Sequence, residues 1–168
     1  MNDQDVRSAL IAGGITAEDL DGDPSNHVAA YSSLLDPPGA ETLGRRLSDA
    51  LRSCQPTRVV VWEDTENGVL AHIVARQLGV TALRVIDASG VLDYDGAFGA
   101  DDRVVIVADA FRNDFPIAAM RALTENHGGR VVAFGALINT PALVDAAGSI
   151  PVATLWGTPQ PSAGSLSV

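Results

Sequence analysis

The stretch Arg103 to Ile117 reads Arg-Val-Val-Ile-Val-Ala-Asp-Ala-Phe-Arg-Asn-Asp-Phe-Pro-Ile. Val104 to Val107 are four consecutive β-branched residues, a run suited to a strand buried on both faces. The run ends in polar, turn-prone residues before Pro116 opens a helical pattern, so strand, loop and helix follow in that order. In an open parallel sheet the carboxyl ends of such strands hold the ligands. Asp109 to Pro116 is therefore the first place to look for function.

Working outward, the same alternation repeats. After the loop, Ile117, Met120 and Leu123 mark the inner face of a helix over 116–127, stopped by His127-Gly128-Gly129. Val131 to Ile138 and Pro151 to Leu155 read as strands around a helical piece at Ala142 to Ala147. Upstream, Thr81 to Ile86 is a strand, and Asp87 to Asp102 is a long acidic loop or small hairpin. Thr57 to Trp62 is another strand, followed by Glu63 to Gly68 and a helix with Leu70, Ile73, Val74 and Leu78 on one face and Gly79 as its cap. Leu43, Leu47, Ala50 and Leu51 form one face of a helix over Glu41 to Ser53, with Arg45, Arg46 and Asp49 on the solvated side. Near the start, Val6, Ala9 and Leu10 indicate a helix stopped by Gly13-Gly14. Val28 to Leu35 reads as a short strand, and the acidic turn Asp19 to Asn26 lacks the closing glutamate of a calcium loop. Strands alternating with helices predict an α/β fold, a parallel sheet with helices on both faces. One domain over 1–156 and a loose tail over 157–168 are expected.

Composition narrows the chemistry. The 21 acidic residues outweigh 11 basic ones for a net charge of -10, which disfavours nucleic acid and anionic membranes as partners. All the basic residues are arginine, so Schiff-base chemistry, a Walker P-loop and lysine-dependent phospho-aspartate receivers each lack a required residue. The single cysteine, Cys54, has no partner for an internal disulfide or zinc site. No apolar run approaches the roughly 18 residues of a membrane span, and the acidic start is unlike a signal peptide, so the cytoplasm is the expected compartment. No strand is followed by Gly-x-Gly-x-x-Gly, which removes the phosphate turn of a dinucleotide site.

From about Val6 to Leu155 the order of elements resembles the type I phosphoribosyltransferases, most of all the orotate phosphoribosyltransferases. The likeness rests on Leu34-Leu35-Asp36-Pro37, on Val59 to Glu63 leading through Gly68 to Gly79, on Val104 to Val107 with Asp109, and on Gly129 to Ile138. The resemblance implies a loop after the central strand that cradles the 5-phosphate of phosphoribosyl pyrophosphate (PRPP), with Mg²⁺ only where PRPP is bound. Asp109 then takes the place of a catalytic acid, and Ala110, Phe111, Arg112, Asn113 and Asp114 the place of the phosphate loop. Glu63, Asp64, Thr65, Glu66, Asn67 and Gly68 correspond to the pyrophosphate loop, and Arg84 precedes the segment that matches the mobile lid. The resemblance also implies a homodimer and a small nucleotide-like ligand.

This sequence departs from that pattern in three loops. One of two expected acids is Ala108, the two expected glycines are Asp114 and Phe115, and Pro116 lacks an N–H. Glu63, Asp64 and Glu66 place acids where pyrophosphate would sit, and Asp87 to Asp102 contains no basic residue. Two readings of Asp109 stand, a ribose- or base-assisting acid and a turn carboxylate. Arg112 is either an anion ligand or the ion-pair partner of Asp114, with the second preferred, and the acids at 63, 64 and 66 either join Asp109 around a metal or are solvated surface charges. Trp62 and Trp156 either stack on a base or pack against the sheet. The expected function is a ligand-binding or regulatory module on a phosphoribosyltransferase scaffold that has lost efficient transfer. The alternative is an active, orotate-like transferase that uses Arg112 and Asn113 for the phosphate.

Overall fold

The computed structural model describes residues 2–22 and 27–157. Residues 23–26 of the acidic turn and 158–168 of the expected tail lie outside the described residues. The helices are α1 (Asp3–Ala12), α2 (Ala17–Asp21), α3 (Pro37–Leu51), α4 (Thr65–Leu78), α5 (Ile117–Asn126) and α6 (Pro141–Ala147). The strands are β1 (Arg58–Trp62), β2 (Thr81–Ala88), β3 (Val91–Tyr94), β4 (Arg103–Ala110), β5 (Arg130–Ile138) and β6 (Val152–Trp156).

The six strands form one sheet in the order β3-β2-β1-β4-β5-β6, parallel except for the β2–β3 pair. The chain runs outward from β1 to β2 and then returns to place β4 on the other side of β1. That reversal opens a crevice between the carboxyl ends of β1 and β4.

Strand alternation divides the core in two. Val59, Val61, Val105 and Val107 face α1, α3 and α4, while Val60, Val104 and Ile106 face α5 and α6. Both faces are covered by helices, as the uninterrupted β-branched runs require. Local signals fix the helix starts. Asn2 with Asp5 and Thr16 with Asp19 form capping boxes, Asp64 caps α4, and proline follows the caps Asp36 and Thr140.

Two expectations change, and the choice left open after Ile86 is settled. Val28 to Leu35 joins no strand, because side chains take its backbone groups: Asp109 accepts the Tyr31 N–H, Glu66 accepts the Ser33 N–H, and Arg112 donates to the Val28 and Ala29 carbonyls. The acidic segment after Ile86 resolves into a hairpin, in which Ser89 (φ 59°) and Gly90 (φ 88°) make the two-residue turn between β2 and β3. β4 continues past Val107 to Ala110, where Ala110 is still paired with Ile138, so Asp109 belongs to the strand and not to the loop.

Helices α3 and α4 approach at Gly44, where a Cβ would lie 2.5 Å from Ile73 Cγ2 and 3.0 Å from its Cβ. Gly44→Ala should improve helix propensity by about 1 kcal/mol yet lose about 1–3 kcal/mol to overpacking. Urea unfolding should therefore show a net loss of stability. An increase would mean that α3 can move off α4 without cost.

Candidate functional site

The site is built from the ends of β1 and β4 and the segment 28–33 that crosses them. Asp109 is 3% exposed, and its carboxylate is fully engaged. Oδ2 accepts the Tyr31 N–H at 2.9 Å and Oδ1 the Ala110 N–H at 2.7 Å. Arg112 adds a bidentate pair, Nη2 to Oδ2 at 2.8 Å and Nη1 to Oδ1 at 3.1 Å. The same guanidinium donates to the carbonyls of Val28 and Ala29, each at 2.8 Å. Burial alone would lower the pKa of Arg112, but the bond and charge of Asp109, with Asp114 and Asp64 farther out, hold it above the ordinary value. Arg112 thus pairs with Asp109, correcting the expected pairing with Asp114. The reason is its position one short turn beyond the strand end, which swings the side chain back under segment 28–33.

Asn67 links the two strand ends. Its Oδ1 accepts the Asp109 N–H at 2.7 Å, and its Nδ2 donates to Asp64 at 2.7 Å. Asp64 also caps α4 through the Asn67 N–H. Because α4 begins at Thr65, the residues aligned with a pyrophosphate loop are mostly the first helical turn. Thr65 and Glu63 are exposed, and a Cβ at Gly68 would meet nothing within 4 Å, so no close backbone approach calls for glycine there. Glu66 turns toward segment 28–33, accepting from the Ser33 N–H at 2.8 Å, the Ser33 hydroxyl at 2.7 Å and the Ser32 hydroxyl at 3.1 Å. Burial pushes its pKa up, but these three hydrogen bonds together bring it below the usual glutamate value.

The loop after β4 closes on itself. Phe111 is fully buried, edge-on to Phe115 and Phe134, and its carbonyl accepts the Thr140 hydroxyl. The Phe115 N–H bonds the Arg112 carbonyl at 3.0 Å, while Asn113 and Asp114 are exposed. Ala110 is fully buried in the strand. Residues 109–116 all lie outside the left-handed region of backbone space.

Beside this network is a cleft of about 460 Å³. Trp62, Leu92, Phe115 and Pro116 supply its apolar walls. Asp64, Asp87 and Asp114 also line it, and among the described residues Arg112 is the one cation in its lining. Arg84 lies elsewhere: it pairs with Asp95 at 2.7 Å and lines a separate groove of about 370 Å³ along α4 with His72 and Arg76. Trp156 packs at the far edge, where its indole N–H donates to the Leu20 carbonyl. Among the described residues, no three His, Cys, Asp or Glu side chains converge as a metal site, so Glu63, Asp64 and Glu66 do not gather with Asp109. Sequence reasoning singled out Asp109, Asp64, Asn67 and Arg112. It missed Asp87 and Leu92 as cleft residues and Tyr31, Ser32 and Ser33 as anchors, because a turn-rich segment without periodicity gives no sign of where it crosses the sheet.

No protein-family profile and no curated protein sequence matches the chain. Solved structures do. The adenine phosphoribosyltransferase of Rhodothermus marinus superposes with a TM-score of 0.69 at 19% identity, over 92% of this chain and 98% of that one. The adenine phosphoribosyltransferase of Trypanosoma brucei, solved with AMP, pyrophosphate and ribose-5-phosphate, gives 0.65 at 14% identity over 89% and 78%. The UMP synthase of Leishmania donovani gives 0.66 at 14% identity, covering 92% of this chain but 35% of its own. The chain therefore has the fold of the type I phosphoribosyltransferases, shared by these adenine phosphoribosyltransferases and by part of the UMP synthase.

Asp109→Ala should cost about 3–5 kcal/mol in denaturant unfolding, because it leaves the Arg112 guanidinium under segment 28–33 without its partner. A double-mutant cycle with Arg112→Met should return a coupling energy in the upper part of the usual range, about 2–3 kcal/mol; additive effects would mean the pair contributes little. The depressed pKa of Glu66 carries a sign: its contribution is complete above the unfolded glutamate value and is lost as pH falls through the lower folded value. Hydrogen-exchange protection at the Ser33 amide should fall over that acid range in the native protein, and Glu66→Gln should remove this pH dependence.

Proposed function

We propose that the chain is a phosphoribosyltransferase-fold protein without efficient PRPP-dependent transfer, and that it acts as a ligand-binding or regulatory module through the cleft beside Asp109. The observation that carries this reading is the commitment of Arg112. Among the described residues the one cation lining the cleft is held by Asp109 and by the Val28, Ala29 and Ala110 carbonyls, so a phosphate would have to break a bidentate pair to recruit it.

The residues present do not fit Mg²⁺-PRPP. A phosphate nest needs convergent N–H groups from alternating right- and left-handed backbone, whereas the Phe115 N–H is used within the loop and Pro116 has none. A unit negative charge seated about 4 Å from Asp114 would be repelled by about 4 kcal/mol at the effective dielectric of a protein surface, roughly a thousandfold in affinity. The orotate-like alternative, with Arg112 and Asn113 on the phosphate, faces both costs. In this reading Asp109 is a positioning residue that holds segment 28–33 over the sheet, and the pyrophosphate and lid positions have no anion to serve.

Titration calorimetry with PRPP and Mg²⁺, combined with turnover assays on a panel of purine and pyrimidine bases, tests the proposal. No micromolar binding and no base consumption are expected. Micromolar PRPP affinity accompanied by turnover of any base would overturn it.

A further inference from the structure

Away from the cleft, we infer that the outer edge of β6 is an interface between two copies of this chain, joined antiparallel about a two-fold axis at Thr154 into one continuous sheet. The backbone supplies the first argument. Among the described residues β6 pairs with β5 alone and ends the sheet. The Pro151 carbonyl accepts the Phe134 N–H at 2.9 Å, so the odd-numbered residues turn their peptide groups to β5, while Val152 and Thr154 turn theirs outward. Such an outward row is a template for a further strand unless the edge is protected. The opposite edge has that protection: β3 and its hairpin display exposed acids at Asp87, Asp93 and Asp95. β6 reads Val-Ala-Thr-Leu-Trp, with neither charge nor proline, and its side chains other than Ala153 keep accessible area that a neighbour would cover.

Charge and register identify the occupant. A chain of net charge -10 repels its own copies, and their contact is least opposed where that charge is absent. From Ala146 to Val168 no side chain is acidic or basic, so β6 lies inside the longest uncharged stretch of the sequence. A two-fold axis at Thr154 sets this residue against its own copy, Val152 against the partner's Trp156, and Ala153 against the partner's Leu155. Threonine pairs and pairs of a β-branched with an aromatic residue are favourable neighbours across an antiparallel ladder. Because Thr154 is an outward residue, the axis falls on a hydrogen-bonded pair, in which the two copies exchange both N–H···O bonds. The contact is isologous and closes at two copies, whereas β6 against a partner's β3 would leave free edges and grow into filaments.

Sedimentation equilibrium of the intact chain tests this. It should show a dimer with a dissociation constant of about 100 µM or tighter, and amide exchange at Val152 and Thr154 should slow as the concentration rises through that value. Thr154→Pro removes an outward N–H without touching the β5 ladder and should weaken the dimer at least about tenfold. Thr154→Lys keeps the backbone intact, sets like charges directly opposite one another and should weaken it as well, so the reading does not depend on how β6 tolerates proline. A monomer at every concentration up to about 1 mM would overturn the inference. So would a dimer indifferent to both substitutions, or slow exchange at these two amides that is independent of concentration, the result expected if residues 158–168 occupied the edge instead.

Discussion

The arrangement at the top of the sheet depends on one buried ion pair, Asp109 with Arg112. Removing two charges from water is expensive, and the pair repays that cost only if every remaining lone pair and proton finds a partner. Here they do: two backbone N–H groups complete the carboxylate and the carbonyls of Val28, Ala29 and Ala110 complete the guanidinium. These backbone groups belong to both β4 and segment 28–33, so the pair joins sequence positions about eighty residues apart in a single unit. Segment 28–33 has no sheet pairing and is held over the crevice by this pair, by Glu66 and by the Ser32 N–H on the Gly13 carbonyl.

The same interaction reverses the electrostatic character of the crevice. A phosphoribosyltransferase-like scaffold places strand ends and a helix start where an anion is ordinarily welcomed. In this chain the nearby guanidinium is paired with Asp109, while Asp64, Asp87 and Asp114 are among the residues that line the cleft. Shared architecture with adenine phosphoribosyltransferases and a UMP synthase at 14–19% identity establishes a common scaffold, and the chemistry has to be argued from the side chains that the scaffold presents.

Asn67 shows how the crevice is kept in shape. It spans from the cap of α4 to the backbone of β4, tying the loop after β1 to the strand that β1 pairs with. Glycine is used for helix packing at Gly44 and for the hairpin turn at Gly90. The loop after β4 accordingly contains Phe115 where a phosphate loop would have a small residue, and the ring becomes part of the wall.

Periodicity alone determined the layered α/β fold, because β-branched runs and 3.6-residue apolar faces specify strands and helices through local geometry. Val104 to Val107 marked the central strand. Only tertiary structure decided where side chains are spent. The sequence places Arg112 nearest Asp114, yet the strand end and the crossing segment 28–33 turn it to Asp109, one of whose two N–H donors, that of Tyr31, is supplied by chain folded back over the sheet. Val28 to Leu35 looked like a strand for the same reason: its apolar content is local, but the partners of its backbone groups lie on β4 and α4. The cleft joins Trp62 at the end of β1, Asp87 near the end of β2 and Phe115 in the loop after β4, and such a meeting has no period along the chain.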